Sequence, residues 1–175
     1  MIPPSKAVLV PDDDVVRLGG GDVDELRRLA SESPLRRARF CAHRDASDPL
    51  HEMVIVMERS TYVRPHRHPG KTESFHVLEG LLDIAVFDDQ GELTEAVRLA
   101  AYESGGPFYC RMNVPLFHTV IVRSEVVVVQ ETTNGPFDPA AAEFASWAPD
   151  PADTGACSRY LATLDQHLSK LQAHR

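Results

Sequence analysis

An all-β core is predicted for this chain: an antiparallel β-barrel or sandwich with a short helix before it and a longer helix after it. Three observations carry the prediction. Between residues 51 and 132 the sequence breaks into short apolar or alternating runs spaced near ten residues apart, with no helical periodicity between them. His51-Glu-Met-Val-Ile-Val-Met-Glu58 is apolar on both faces, as a strand covered on two sides must be. Asp88-Asp89-Gln90-Gly91, Gly105-Gly106-Pro107 and Asn113-Val114-Pro115 supply the turn chemistry for sharp corners.

Residues 1–21 read as an extended arm ending in Gly19-Gly20-Gly21. No Gly-Lys-Ser/Thr follows those glycines, so they are a flexible turn and not a phosphate cradle. Asp22 is the expected N-cap of a short helix, with Glu25 at the capping-box spacing and an apolar stripe at Leu26, Leu29 and Ala30. Ser33-Pro34 ends that helix. Arg37-x-Arg39-x-Cys41-x-His43 alternates with Ala38, Phe40 and Ala42, the pattern of a strand with one polar face. Further strands are expected at 61–68, 73–79, 81–88, 93–99, 107–113, 117–123 and 125–132. Beyond Glu131 the chain is rich in turns, and Phe137, Phe144 and Trp147 are expected to pin it back onto the barrel surface. Residues 158–173 form an amphipathic helix whose stripe, Leu161, Leu164, Leu168 and Leu171, serves a core or a dimer contact. The chain thus divides into an N-terminal part (1–49), a barrel (50–132) and a wrap with a terminal helix (133–175), all within one domain.

Composition narrows the function classes. With 43% hydrophobic and 25% charged residues the chain is an ordinary globular protein. A net charge of −8 argues against nucleic acid and anionic membranes as partners, since phosphate-tracking surfaces need an excess of Lys and Arg. The N-terminus lacks signal-peptide architecture, and the three cysteines, Cys41, Cys110 and Cys157, form no CxxC pair. A reduced, cytoplasmic setting is the expectation.

The chemistry concentrates at His66-Arg67-His68. Histidines at i and i+2 on a strand share a face, about 7 Å apart along the backbone. Pro69-Gly70-Lys71-Thr72 reverses the chain, so Glu73 begins the returning strand beside the pair. His118 opens a later apolar strand just after a proline-bearing turn. Three imidazoles and one carboxylate suit a single divalent transition metal such as Zn, Fe, Mn or Ni, without choosing among them. His76 faces away from Glu73 by strand alternation and is set aside as a ligand. Tyr62 and Arg64 share the face of His66 on a regular strand and are candidates for the substrate pocket. Cys41 and His43 share a face on an earlier strand, at a pocket mouth or, more simply, in the core or a dimer contact. No nucleophilic triad or paired-carboxylate arrangement is recognisable from spacing.

His66-x-His68-x4-Glu73-x6-Gly80 resembles the first motif of the cupins, and Pro115-Leu-Phe-His118 resembles the end of the second. This likeness covers about residues 50–132 and implies a cupin-type jelly roll with the metal held inside by His66, His68, Glu73 and His118. The stretch from Met57 to Gly80, with Phe87-Asp-Asp-Gln-Gly91, His118-Thr-Val and Gly135-Pro-Phe-Asp-Pro-Ala140, is similar to the WbuC-type cupin metalloproteins over about residues 35–149. Two positions depart from the cupin pattern: Ser60 stands where a glycine is expected, and Asn113-Val114-Pro115 replaces a Pro-x-Gly turn. Members of that group occur in surface-polysaccharide (O-antigen) gene clusters. The resemblance implies a metal acting as Lewis acid on a small carbohydrate-derived or sugar-nucleotide substrate. An Fe(II)-dependent dioxygenase and a non-catalytic small-ligand binder are the alternatives. A homodimer is expected, with no nucleic acid or membrane partner.

Overall fold

Two antiparallel sheets face one another, and a helix covers the outer side of each. The computed structural model describes residues 7–173. Its strands are β1 (Val8–Leu9), β2 (Arg37–Cys41), β3 (Leu50–Glu58), β4 (His66–Arg67), β5 (Glu73–Glu79), β6 (Leu81–Phe87), β7 (Leu93–Ala100), β8 (Tyr109–Met112), β9 (Phe117–Val122), β10 (Val126–Asn134) and β11 (Glu143–Phe144). The helices are α1 (Gly20–Glu32) and α2 (Thr154–Ala173). One sheet has the order β1-β2-β3-β10-β5-β8 and the other β11-β4-β9-β6-β7, with β1 and β2 the parallel exception. This is the predicted jelly roll with its two flanking helices.

Strand alternation divides each sheet between two cores. Met53, Ile55 and Met57 of β3, Val127 and Val129 of β10, and Phe75 and Val77 of β5 turn inward. They meet Leu82, Ile84 and Val86 of β6 and Val120 and Val122 of β9 between the sheets. The opposite side of the first sheet, Ala38, Phe40, Val56 and Val128, packs on Leu26, Leu29 and Ala30 of α1. The opposite side of the second, Ala85, Phe87, Ala96, Phe117 and Ile121, packs on Leu164 and Leu168 of α2. This is why β3 reads as apolar on both faces: each face has its own apolar layer to fill. Leu161, Leu164 and Leu168 of the α2 stripe are used on the protein's own sheet, which removes them as an argument for a dimer, while the Leu171 side chain lies outside the described residues.

Several boundaries differ from expectation for local reasons. Gly19 is the N-cap of α1, and Asp22 stands three residues in, where its carboxylate accepts the Gly19 N–H at 2.7 Å. The box is therefore shifted by three residues from the Asp22–Glu25 pairing. The strand expected over 61–68 shrinks to His66–Arg67, because Pro65 and Pro69 bracket it and cannot donate to a ladder. Among the wrap aromatics Trp147 is pinned, its ring 5.1 Å from that of Phe87, whereas Phe137 and Phe144 stay about half exposed and Ala145 and Ala148 are buried instead.

Gly80 joins β5 of one sheet to β6 of the other. Its φ is +85°, and an added Cβ would lie 2.5 Å from both Ser124 Oγ and the Val126 carbonyl oxygen. The left-handed backbone and the clash act together, so Gly80→Ala should cost at least about 2 kcal/mol of unfolding free energy. Urea denaturation checks this. A variant within a few tenths of wild type would mean the corner relaxes freely.

Candidate metal centre

The four predicted donors converge between the sheets. His66 and His118 are direct cross-strand partners on β4 and β9. Inward alternation on β9 puts His118 on the side of Val120 and Val122. Glu73 opens β5 in the opposite sheet, in register with Thr133 and Met112. The ring of His66 lies 4.9 Å from that of His68 and 4.7 Å from that of His118. His68 Nε2 is 3.5 Å from one oxygen of Glu73, and His118 Nε2 is 3.4 Å from the other. The His118 and Glu73 side chains are only 3% and 7% exposed, while His68 at 21% stands nearest to water.

Those two separations are long for hydrogen bonds, whose N···O distance centres on about 2.9 Å. They match two ligands of one ion: with bonds of about 2.1 Å, neighbouring donors stand about 3.0–3.4 Å apart. As the side chains stand, no group of three or more His, Cys, Asp or Glu among the described residues meets the geometry for holding an ion. Closing the set requires the Glu73 carboxylate and the rings to turn toward a common point.

Backbone carbonyls orient two of the rings. His66 Nδ1 lies 2.9 Å from the Arg64 carbonyl oxygen, and His118 Nδ1 lies 3.0 Å from that of Leu116. Each imidazole must donate its Nδ1–H there, which leaves Nε2 as the lone-pair nitrogen. Metal-binding histidines are characteristically held in this way. Burial, reinforced by neighbouring positive charge, pushes His68 down to about 4 and His118 down to about 3. His66 is lowered by burial as well, against its bond to the Arg64 carbonyl. All three rings are therefore neutral at pH 7. Glu73 moves the other way, up to about 8, because burial and the nearby Glu131 both disfavour its charge. Without a cation the carboxyl keeps its proton. The donor set fits a divalent ion: three available nitrogen lone pairs and one acid that an ion would strip of its proton.

Tyr62 and Arg64 are engaged elsewhere. Tyr62 donates to the Pro149 carbonyl at 2.9 Å and packs edge-on against Tyr160 of α2. Arg64 donates to the Ala145 carbonyl at 3.0 Å and lies over the Phe144 ring. Both hold the C-terminal wrap against the barrel. His76 points away from the centre, its ring 5.4 Å from Phe108. Cys41 is buried, and His43 stacks on His51 with ring centroids 4.0 Å apart. A shallow hollow of about 110 Å³ adjoins Glu73, lined among others by Thr72, Arg111, Thr133 and Asn134. Sequence reasoning missed the inward-facing charges Arg37, Arg39 and Glu131. The Arg37-x-Arg39-x-Cys41 alternation was visible, but which face turns inward was not.

A family described as a domain of unknown function, DUF6016, matches residues 20–99. No curated protein matches the chain. Among solved structures, the capsular polysaccharide assembling protein CapF of Staphylococcus aureus is similar at 17% identity and a TM-score of 0.50, over 62% of this chain and 31% of that one. CapF bound to the inhibitor 3-isopropenyl-tropolone matches at the same identity and TM-score, over 30% of its length. Oxalate decarboxylase of Bacillus subtilis, described with Mn(II) centres, matches at 17% identity and a TM-score of 0.48, over 62% of this chain and 28% of that one. The chain thus spans about a third of the length of the CapF it matches. Over the part it shares with CapF, the chain has a cupin-type jelly-roll fold.

Proposed function

We propose that this protein is a cupin of the WbuC type that binds one divalent transition metal through His66, His68, Glu73 and His118. Its substrate is a small carbohydrate-derived molecule or sugar-nucleotide of surface-polysaccharide metabolism. The observation that carries the reading is the convergence of three imidazoles and one buried carboxyl between two facing sheets, with His68 and His118 Nε2 at 3.5 and 3.4 Å from the Glu73 oxygens. The likeness to CapF, described as a capsular polysaccharide assembling protein, supports the polysaccharide setting.

Bound there, a divalent ion would supply Lewis-acid polarisation of a substrate oxygen. The chain's own residues supply the frame. The Arg64 and Leu116 carbonyls hold two rings with Nε2 toward the centre, and the packed core below it excludes water. His68, the most exposed of the donors, marks the side from which a ligand enters.

Metal uptake has a proton signature. A carboxyl with a pKa of about 8 is about 90% protonated at pH 7, and the three neutral rings contribute no proton. Uptake at pH 7 should therefore release up to about one proton per ion, falling toward zero at higher pH where Glu73 is already ionised. Calorimetry in two buffers of different ionisation enthalpy measures this directly. No release at pH 7, with the metal bound, would mean that Glu73 is already ionised in the metal-free protein. To test the function itself, the metal-loaded protein is incubated with sugar-nucleotides with and without oxygen. Metal-dependent conversion that needs no oxygen is expected, and substrate-dependent oxygen uptake would replace the Lewis-acid reading with oxidation.

A further inference from the structure

β2 and β10 carry three charged side chains into the space between the sheets, with Glu131 the nearest of them to the four donors. Arg37 pairs across the ladder with Met57, Arg39 with Ile55, and Cys41 with Met53. Cross-strand partners share a face, and Met53, Ile55 and Met57 all belong to the inter-sheet core. Arg37 and Arg39 therefore stand on the inner face, not on the α1 side where Ala38 and Phe40 pack. Glu131 pairs with both Met53 and Phe75, which turns its carboxylate inward too. It lies one inward position along β10 from Thr133, the register partner of Glu73. Successive inward positions are about 7 Å apart, so Glu131 is a diagonal neighbour of the donor set.

Among the described residues none of the three charges closes an ion pair. The contact recorded for either guanidinium is Arg39 Nη1 to Met53 Sδ at 4.0 Å. Arg37 and Glu131 are half-buried, while Arg39 remains exposed, so the inner face is open to water at this end. Burial and the repulsion of Arg39 disfavour the Arg37 charge, Glu131 attracts it, and that charge also reaches His66. Two guanidinium charges face one buried carboxyl, so a net positive charge is left for a ligand to neutralise. Guanidinium groups suit oxyanions because they present planar forks of N–H donors.

We propose that Arg37 and Arg39 bind an oxyanion, a carboxylate or phosphate, belonging to the small molecule that the four-donor centre receives, an inference that rests on the metal reading above. Glu131 limits the net positive charge and faces the remainder of the ligand. The anion anchors one end of the molecule on β2 while a neutral oxygen at its other end reaches the centre.

The test is calorimetric titration of the metal-loaded protein with orthophosphate and, separately, with malonate. At least one should bind with a dissociation constant below about 1 mM, and Arg37→Gln and Arg39→Gln should each weaken it about 10- to 100-fold. Metal content and thermal midpoint should stay at wild-type values, and the stronger of the two probes identifies the oxyanion. Equal affinity in wild type and both variants would overturn the proposal, as would no heat from either probe at tens of millimolar. Arg39→Gln guards against misfolding of the more buried Arg37 variant. Should the protein take up no metal, the same titration on metal-free protein keeps the two ideas apart. Binding lost in the arginine variants would then sustain the anion site while the metal reading falls.

Discussion

His118→Ala is expected to lower metal affinity by at least about 100-fold, because it removes a ligand and not merely a group behind one. Wild-type protein should hold close to one ion per chain, and the variant only a small fraction of that. A bound ion at about 1,000 times its dissociation constant adds about 4 kcal/mol of stability. That increment should vanish in the variant, so added metal would no longer raise its thermal midpoint. His118 is 3% exposed, so truncation also leaves a cavity, and some loss of stability follows from packing alone. The informative quantity is therefore the difference made by metal within each protein. His76→Ala is the control. It lies on β5 three residues from Glu73, faces the other way, and should keep full occupancy. If metal still stabilises His118→Ala as it does wild type, the ion sits elsewhere.

Asp83→Asn should be the most damaging substitution away from the centre. Asp83 is fully buried on β6 and accepts from Arg98 at 2.8 and 3.0 Å and from Arg123 at 2.6 Å. Arg123 in turn pairs with Asp165 of α2, so this carboxylate ties the second sheet to its covering helix. Burial alone would raise the Asp83 pKa, but the hydrogen bonds from Arg98 and Arg123 overcome it and hold the carboxyl below its ordinary value. Neutralising it leaves Arg123, whose side chain is only 15% exposed, with the half-exposed Asp165 as its remaining counter-charge. Breaking such a buried pair costs about 3–5 kcal/mol. With a urea slope of about 2 kcal/mol/M, the midpoint should fall by about 2 M. Arg98 is 49% exposed, and Arg98→Gln should cost under about 1 kcal/mol. Equal effects from the two variants would show that the network is solvated throughout. Because the folded pKa is depressed, this stabilisation is present above the unfolded carboxylate range and is lost as pH falls through the folded value.

Much of the architecture was legible because turn residues and alternation agree with the fold. Glu73–Glu79 was expected to the residue, and the strands from Leu81, Leu93, Phe117 and Val126 to within one or two. The proximity of His66, His68, Glu73 and His118 was legible from the His-x-His spacing and the Pro-Gly reversal, although His68 lies just past β4 and not on a strand. What escaped has physical causes. β4 is two residues long because flanking prolines interrupt the ladder. β1 and β11 are pairs of residues that exist only through tertiary pairing. The direction of Arg37 and Arg39 was hidden because Ala38 and Phe40 also find a core, against α1. When a sheet is covered on both sides, alternation separates its faces without saying which one is the interior. Tyr62 and Arg64 shared the expected face of His66, but their polar groups reach the wrap, a contact between residues more than 80 positions apart.

The most direct test of the central claim is anomalous X-ray scattering from crystals of tag-free protein, grown after incubation with a first-row divalent metal. A single strong peak is expected between the two sheets, within about 2.3 Å of Nε2 of His66, His68 and His118 and of a Glu73 oxygen. A protein that binds no ion there, with the three rings paired to waters and Glu73 left protonated, would contradict it.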